Sequence, residues 1–315
     1  MSSGYGMTSF VQMSKQNSFN DINVSSHRAI SITGETLEFS IEQIQEESMY
    51  GRYSQSPSHE GMHKYEGALT AEASAANLGA LFVSYFGVDS VDGHKHNFQL
   101  QNSDFDIYAA TTPFTIEVFR GGDANSFLYG DMVGNTINLN ITNGELLTCE
   151  VGYIGASFSR DTASTPTYDT DPIPFNWSQS SISFASTAVC EMRELSVTGT
   201  KNIEAQYSLC NQKDPYAIKR SDFETAELSG TMIFQDLTFF DAYEAQSQSA
   251  LTLNFVSNSP NNLELIFPKV KLLTFAPMIN AKGLLEVPFT ARADYDEATA
   301  TAMQFNLTDA NTIAY

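Results

Sequence analysis

Residues 194–209 alternate between polar and apolar side chains, and no other stretch restricts the fold as strongly. Leu195 and Val197 alternate with polar neighbours as far as Gly199. Beyond that glycine the alternation resumes, with apolar residues at Ile203, Ala205, Tyr207 and Leu209. Side chains in a strand point to opposite faces with a period of two residues. The stretch therefore predicts a strand with one buried face and one polar, acidic face that forms the wall of a sheet.

Patterns along the rest of the chain predict further strands and two short helices. Residues 36–42 alternate in the same way. Apolar residues at helical spacing predict one short helix over 75–86, which ends at Gly87, and a second over 237–246. Further strands are predicted at 67–73, 98–100, 114–119, 136–141, 146–154, 251–256, 263–267, 271–275 and 284–293. The fold class is therefore mainly β.

The order of these elements is repeated along the chain. Residues 1–28 lack periodicity and predict a flexible or docking arm. Residues 157–177 carry three prolines and no hydrophobic pattern, which predicts a linker. Long strands, a loop and one short helix come in the same order on each side of it. The sequence therefore predicts two tandem units, over 29–156 and 178–315.

The charge of the chain is strongly one-sided. Only 17% of the residues are charged, yet the formal net charge is −21. Such a chain repels nucleic acid and anionic membranes, which are bound chiefly through Lys and Arg. The N-terminus lacks the pattern of a secretory signal, and no apolar run is long enough to span a membrane. Three dispersed cysteines make a disulfide framework improbable, and a reducing compartment fits best.

One stretch matches a zinc-site motif. His59, Glu60 and His63 form the H-E-x-x-H pattern, which zinc peptidases place on a helix so that both imidazoles face one metal. Pro57 and Gly61 disfavour a helix here, and we expect a loop over 49–66. A zinc hydrolase remains the alternative from another class, although the sequence favours no metal and no cofactor.

The few basic residues gather in a second long loop, expected over 210–224. Lys213, Lys219 and Arg220 stand close together in an otherwise acidic chain. Such a cluster is either a solvated part of the loop or a contact for an acidic surface, of which another copy of the chain is the nearest example. His94 and His96 follow a predicted turn, and no third metal ligand is placed near them.

With the order of elements in view, the chain resembles the tail tube proteins of tailed bacteriophages, in their large two-module type. The stretches that carry this resemblance are 35–47, 65–69, 75–86, 189–209, 219–231, 239–245 and 283–294. The resemblance implies two tandem β-sandwich modules, each with one short flanking α-helix. It also implies a non-enzymatic protein of the virion tail, assembled in the host cytoplasm.

The same resemblance implies a set of partners. Sheets of neighbouring copies would join into rings of six modules, either a homotrimer with pseudo-sixfold symmetry or a homohexamer. Stacked rings would form a tube around a tape-measure protein, between tail terminator and distal tail proteins, and DNA would pass through the bore during ejection. A distal tail protein or another single-ring component is a close alternative. A secreted β-sandwich adhesin is weakened by the missing signal and the odd cysteine count.

Two groups of residues are expected to act in such a tube. Polar residues of the predicted strands should face the lumen, where carboxylates and hydroxyls would not grip phosphates: Glu38, Ser40, Glu42, Glu194, Ser196, Glu204, Gln206 and Ser208. Residues of the two long loops should contact the next ring and stay mobile before assembly: Arg52, Tyr53, His59, His63, Lys213, Tyr216, Lys219 and Arg220.

Overall fold

The protein is described by a computed structural model over residues 6–22, 28–48, 51, 53–99, 113–122, 124–168, 173–210, 212–257, 261–279, 282–312 and 315. Over these residues the fold is mainly β, with strands paired antiparallel and two α-helices. The predicted fold class of a mainly β protein with two short helices is confirmed.

The first half of the chain holds one α-helix, a short 3-10 helix at Gly6–Thr8 and eleven strands in the described residues. The helix, α1, spans Ala75–Phe86. The strands are β1 Phe10–Lys15, β2 Arg28–Ile30, β3 Ile32–Glu35, β4 Glu38–Ile44, β5 His59–Glu72, β6 Ser90–Asp92, β7 Lys95–Gln99, β8 Phe114–Phe119, β9 Asn125–Thr142, β10 Thr148–Ile154 and β11 Ser157–Thr162.

The second half begins with a short 3-10 helix at Trp177–Gln179 and holds ten described strands. Its helix, α2, spans Thr238–Glu244. The strands are β12 Ser180–Phe184, β13 Thr187–Val189, β14 Met192–Thr200, β15 Ile203–Gln206, β16 Ala217–Arg220, β17 Thr225–Ile233, β18 Gln248–Val256, β19 Asn262–Phe275, β20 Glu286–Ala293 and β21 Gln304–Thr308.

A long sheet runs through both halves. Its strands follow in the order β4, β5, β10, β9, β14, β17, β20, β19, β18 and β12. β9 is long enough to pair twice: its first part pairs with β8 and β11, and its second part with β10 and β14. β9 thus connects the sheet of β1, β2, β8 and β11 to the long sheet.

Strand pairing follows the same order in both halves. β10 lies between β5 and β9 in the first half, and β20 lies between β17 and β19 in the second. The irregularities also match. One extra residue interrupts the register at Thr33 in β3 and at Arg193 in β14, and again at Asn135 in β9 and Leu273 in β19. β-Bulges are specific local features, so their shared positions relate the two halves more strongly than strand order alone.

Helix α1 is where the sequence predicts it, and its ends explain why. The Ser74 hydroxyl accepts a hydrogen bond from the Asn77 amide at 3.3 Å, and Gly87 ends the helix in the left-handed region at φ 87°. Almost the whole helix is buried against β9. A Cβ at Gly134 of β9 would lie 2.9 Å from the Tyr85 Cα, so this close approach depends on glycine.

Residues 10–15 of the expected flexible or docking arm are ordered, and they form β1 between β2 and β8. Gln12 and Ser14 are as buried as their apolar neighbours, so the strand has no polar face and no alternation to detect. The Gln12 amide donates to the Ser164 hydroxyl at 2.8 Å. Polar residues thus conceal a central strand in the sequence.

Three stretches expected to be irregular contain strands. Residues 59–66 of the first expected loop belong to β5, residues 217–220 of the second form β16, and residues 157–162 of the expected linker form β11. Within residues 59–66 of β5 the buried positions are Gly61 and Tyr65, which leave a weak apolar signal. Leu209, predicted to point inward, is fully exposed because β15 ends at Gln206.

Candidate functional site

The two halves meet where β9 pairs with β14. The pairing runs from Thr142 opposite Glu194 to Thr136 opposite Thr200. On the buried side Leu139 faces Val197, and both side chains are 2% exposed. A Cβ at Gly199 would lie 2.7 Å from the Met303 side chain, so the strand approaches the core closely at this point. We call this pairing the internal junction.

The other side of the long sheet is polar. The hydroxyls of Ser196 and Thr198 donate to the Asn138 side chain at 3.2 and 3.4 Å, and the Thr231 hydroxyl donates to the Glu194 carboxylate at 2.6 Å. We define the polar face by residues of adjacent strands, namely Thr70, Glu72, Asn138, Asn140, Thr148, Glu150, Glu194, Ser196, Thr198, Glu227 and Ser229. Carboxylates, hydroxyls and amides dominate it.

Of the eight residues expected to face a lumen, five lie on strands of the long sheet and three do not. Glu194 and Ser196 lie on the polar face of the long sheet. Glu38 and Ser40 lie in β4 opposite Glu66 and Lys64, and the exposed Glu42 follows them in the same strand. The other three lie elsewhere: Glu204 and Gln206 belong to the separate two-stranded sheet of β15 and β16, and Ser208 follows β15.

A polar cluster ties the β4–β5 hairpin to the loop before β16. The His63 ring nitrogens lie 2.7 Å from the Asp214 carboxylate and 2.9 Å from the Glu60 carboxylate. Tyr65 donates to Asp214, and Lys213 pairs with Glu60. The two expected loops thus contact each other within one chain.

Protonation of His63 strengthens its contacts with the two carboxylates of this cluster. Burial opposes the charged form of His63, but hydrogen bonds to Glu60 and Asp214 raise its pKa overall. The Lys213 ammonium, and then His63, lower the pKa of Glu60. Burial and the hydrogen bond to Asp214 raise the pKa of Tyr65, which therefore stays a neutral donor.

Beneath this cluster the β15–β16 hairpin packs on the first half. Ile203 and Ile218 form a small apolar cluster with Val133, and Ile154 packs against it. The Asn135 carbonyl accepts a hydrogen bond from the Lys201 amide at 2.8 Å. The Lys201 side chain is buried, with its ammonium 4.9 Å from the Tyr85 ring centre, and burial lowers its pKa to about 7.

The residues expected to contact the next ring are spread over these contacts. Arg52 lies outside the described residues, and Tyr53 is fully exposed. The others have these positions: His59 lies opposite Ile44, His63 and Lys213 belong to the polar cluster, Tyr216 is half-exposed, Lys219 lies opposite Glu204, and Arg220 is 3.3 Å from the Glu224 carboxylate.

The H-E-x-x-H stretch lies on a strand. His59 and His63 face Ile44 and Ile41 of β4, so the helix that would point both imidazoles at one metal is not formed. Within the described residues, no group of three or more His, Cys, Asp or Glu side chains is arranged to hold a metal ion. The zinc-hydrolase alternative thus lacks the local structure that its chemistry needs.

Several strands in the described part of the chain pair on one side only, and two of the open edges belong to the long sheet at its β4 end and at the end of β19. One is the edge of β3 and β4 that faces away from β5. The other belongs to the end of β19, where Leu272–Phe275 pair with β20 only, since β18 stops opposite Lys271. Neither edge could be recognised from the sequence, which shows the alternation of a strand but not its neighbours.

A long polar-faced sheet with open strand edges offers backbone groups for pairing with further strands, as in structural proteins built from β-sheets. A family model described as phage tail tube protein matches residues 6–293. The chain therefore belongs to the phage tail tube protein family, and it is a structural component of the virion tail. No curated protein matches it. None of the helices in the described residues is long and apolar enough to cross a membrane.

Proposed function

We propose that this protein is the tube subunit itself, which closes into rings that stack and conduct DNA during genome ejection. The observation that supports this most directly is the polar face, which continues across the internal junction from β5 to β17. A surface shared by both halves of one chain is suited to continue across neighbouring copies as the wall of a bore.

The chemistry of the polar face suits the passage of DNA. Glu150, Glu194 and Glu227 place carboxylates on three strands of this face, among hydroxyl and amide side chains. Phosphate is held chiefly by Lys and Arg, and each such contact adds affinity. An acidic, hydroxyl-rich wall repels phosphates and has little to hold them with. Of the expected lumen residues, Glu194 and Ser196 fit this role best.

The repeated strand pairing favours three chains in each ring. Two halves of the same pairing order would give a homotrimer six units around its circumference, with pseudo-sixfold symmetry, whereas a homohexamer would hold twelve units. The tape-measure protein would occupy the bore during assembly in the host cytoplasm, and the tail terminator and distal tail proteins would cover the two ends.

Electron microscopy of the concentrated, purified protein tests this proposal. We expect hollow filaments, and mass measurement of single rings should give three chains. Single rings that never stack would instead favour a distal tail component. Monomers at every concentration would contradict a tube subunit of either kind.

Charge reversal on the polar face tests the role of the lumen. We expect Glu194→Lys together with Glu150→Lys to assemble normally and to slow DNA passage, because new cations would grip phosphates. Asp241→Lys on the exposed surface of α2 is the matched control and should leave DNA passage unchanged. Equal ejection rates for both variants would argue against a bore lined by this face.

A further inference from the structure

We propose that copies of the chain join head to tail through a second version of the internal junction. In this contact the open edge of β3 and β4 in one copy pairs with the open end of β19 in the next. The inference rests on the proposed function and names the surfaces through which the subunit closes its ring.

The internal junction supplies the template because each of its strands has a counterpart with a bulge at the same place. β14 corresponds to β3 and β4. Arg193 is the extra residue where β14 pairs with β17, and Thr33 is the extra residue where β3 pairs with β5, the counterpart of β17. β9 corresponds to β19, since Asn135 and Leu273 are the extra residues opposite β10 and β20. The counterpart of β9 paired with β14 is therefore β19 paired with β4.

Side-chain exposure distinguishes β9, which β14 covers, from its counterpart β19, whose end is open. Counted on from the bulge, Ile141 of β9 and Ile279 after β19 occupy the same position. Ile141 is 8% exposed, whereas Ile279 is 90% exposed. Met278, next to it in the chain, and Leu273 at the bulge are also exposed. An open strand edge bordered by apolar side chains is a template for pairing with another chain.

The bulges fix the register of the contact. Thr200 faces Thr136 in the internal junction, so Ser40 of one copy should face Thr274 of the next. In the internal junction the Lys201 amide donates a hydrogen bond to the Asn135 carbonyl. The equivalent hydrogen bond between copies would run from the Ile41 amide to the Leu273 carbonyl of the next copy.

One strand position differs from the template. The Leu37 carbonyl already accepts a hydrogen bond from the Tyr129 hydroxyl at 2.9 Å. The contact between copies therefore departs from the internal junction at Leu37.

A cavity in the second half marks where the hairpin would dock. In the internal junction, the β15–β16 hairpin covers Val133 and Ile154. Their counterparts in the second half are Lys271 and Arg292. Arg292 lines an open cavity of about 860 Å³ that extends to Glu224. The β4–β5 hairpin of the next copy, as counterpart of β15–β16, would fill it.

Charge supports this occupant. Lys271 and Arg292 lie directly opposite each other, and like charges in this arrangement repel. Asp294 compensates in part through an ion pair with Arg292 at 2.7 Å. Glu42 is exposed on the acidic β4–β5 hairpin, and docking would bring its carboxylate to these cations. A second copy therefore offers a further carboxylate to this pair of cations.

Disulfide trapping tests the register. The background carries Cys190→Ser and Cys210→Ser, because both thiols are exposed, while Cys149 is buried and its pKa is raised. Ser40→Cys with Thr274→Cys should give covalent rings under oxidation, because residues opposite each other have Cα atoms about 4.5–5.5 Å apart. Ser40→Cys with Met278→Cys is the control and should stay uncrosslinked. Mixing the two single-cysteine proteins should give dimers only.

The outcomes distinguish a failure of the proposed junction from a failure of the proposed tube-subunit function. Crosslinking at the first pair and not at the control supports the junction. Tubes that form without that crosslink overturn the junction and leave the tube subunit intact. A lack of self-association overturns both.

A charge exchange provides a second readout that needs no new thiols. Arg292→Glu and Glu42→Arg should each abolish tubes at concentrations where the parent chain assembles fully, and the double variant should restore them. Two weakened single variants without rescue in the double variant would overturn the docking of the hairpin.

Discussion

The internal junction and the open edges are two versions of one contact, and they differ in what covers them. At the junction β14 pairs along the whole second part of β9, and the apolar residues beneath are buried. At the end of β19 the equivalent edge is open, with Ile279 in solvent. The comparison shows that one strand pattern can form a permanent contact in one half and an exposed edge in the other.

The composition of the two surfaces follows from that difference. Val133 and Ile154 are apolar, and the hairpin that covers them is part of the same chain. Their counterparts, Lys271 and Arg292, must remain in water until another copy arrives. Charged residues on an open surface limit premature association, which an apolar patch would promote. The difference is what we expect between a fold contact and an assembly contact.

The largest expected effect comes from the same substitution at the two matching positions. Ile141→Asp should lower the free energy of unfolding by about 3–5 kcal/mol, because it buries a charge and opens a cavity beside Leu195. Ile279→Asp should change the stability of the monomer by no more than about 0.5 kcal/mol, since the side chain is exposed, and yet prevent tube formation. Urea unfolding and electron microscopy measure the two effects.

The two substitutions can also break the comparison. If Ile279→Asp destabilised the monomer as much as Ile141→Asp, the open edge would already be covered within one chain. If Ile279→Asp left the tubes normal, the edge of β19 would have no part in assembly.

The sequence could predict elements more readily than neighbours. The alternation in residues 194–200 and the spacing in α1 each reflect a single burial pattern, so both elements were predicted correctly. The first strand was missed because Gln12 and Ser14 are buried on a polar-rich strand. β21 was missed as well, although Phe305 and Leu307 are fully buried.

The site was predicted only in part, for the same reason. Glu194 and Ser196 could be placed on a polar strand face because alternation determines it. The partner of His63 could not be predicted, because Asp214 follows far along the chain and approaches only through the pairing of β9 with β14. The open edges depend on which strand lies beside which, and alternation carries no such information.

A smaller effect is expected from the buried amine of the internal junction. Lys201→Met should raise the free energy of unfolding by about 1–4 kcal/mol at pH 6, because it replaces a buried charge with an apolar chain of similar size. Lys219→Met on the exposed side of β16 is the control and should change little. Urea unfolding of both variants measures the difference.

The pH dependence gives this prediction its sign. The folded pKa of Lys201, about 7, lies below its ordinary value of 10.5, so the unfolded chain binds the proton more tightly. The penalty is complete below about pH 7 and disappears as pH rises towards 10.5. The gain from Lys201→Met should therefore shrink between these values. A gain that stayed constant with pH would mean that packing, and not charge, causes it.

The smallest effect concerns the polar cluster that ties the two hairpins within one chain. Asp214→Asn should speed amide hydrogen exchange in β15 and β16, with a loss of about 1 kcal/mol at most because Asp214 is half-exposed. The pKa of His63 is raised, so its contribution is complete below the ordinary value of 6.5 and is lost as pH rises through the folded value. Protection in the parent chain should fall over that range, and Asp214→Asn should lower it already at acidic pH. Unchanged exchange in the variant would mean that the apolar contact of Ile203 and Ile218 alone holds the internal hairpin, and charge would then matter only where copies meet.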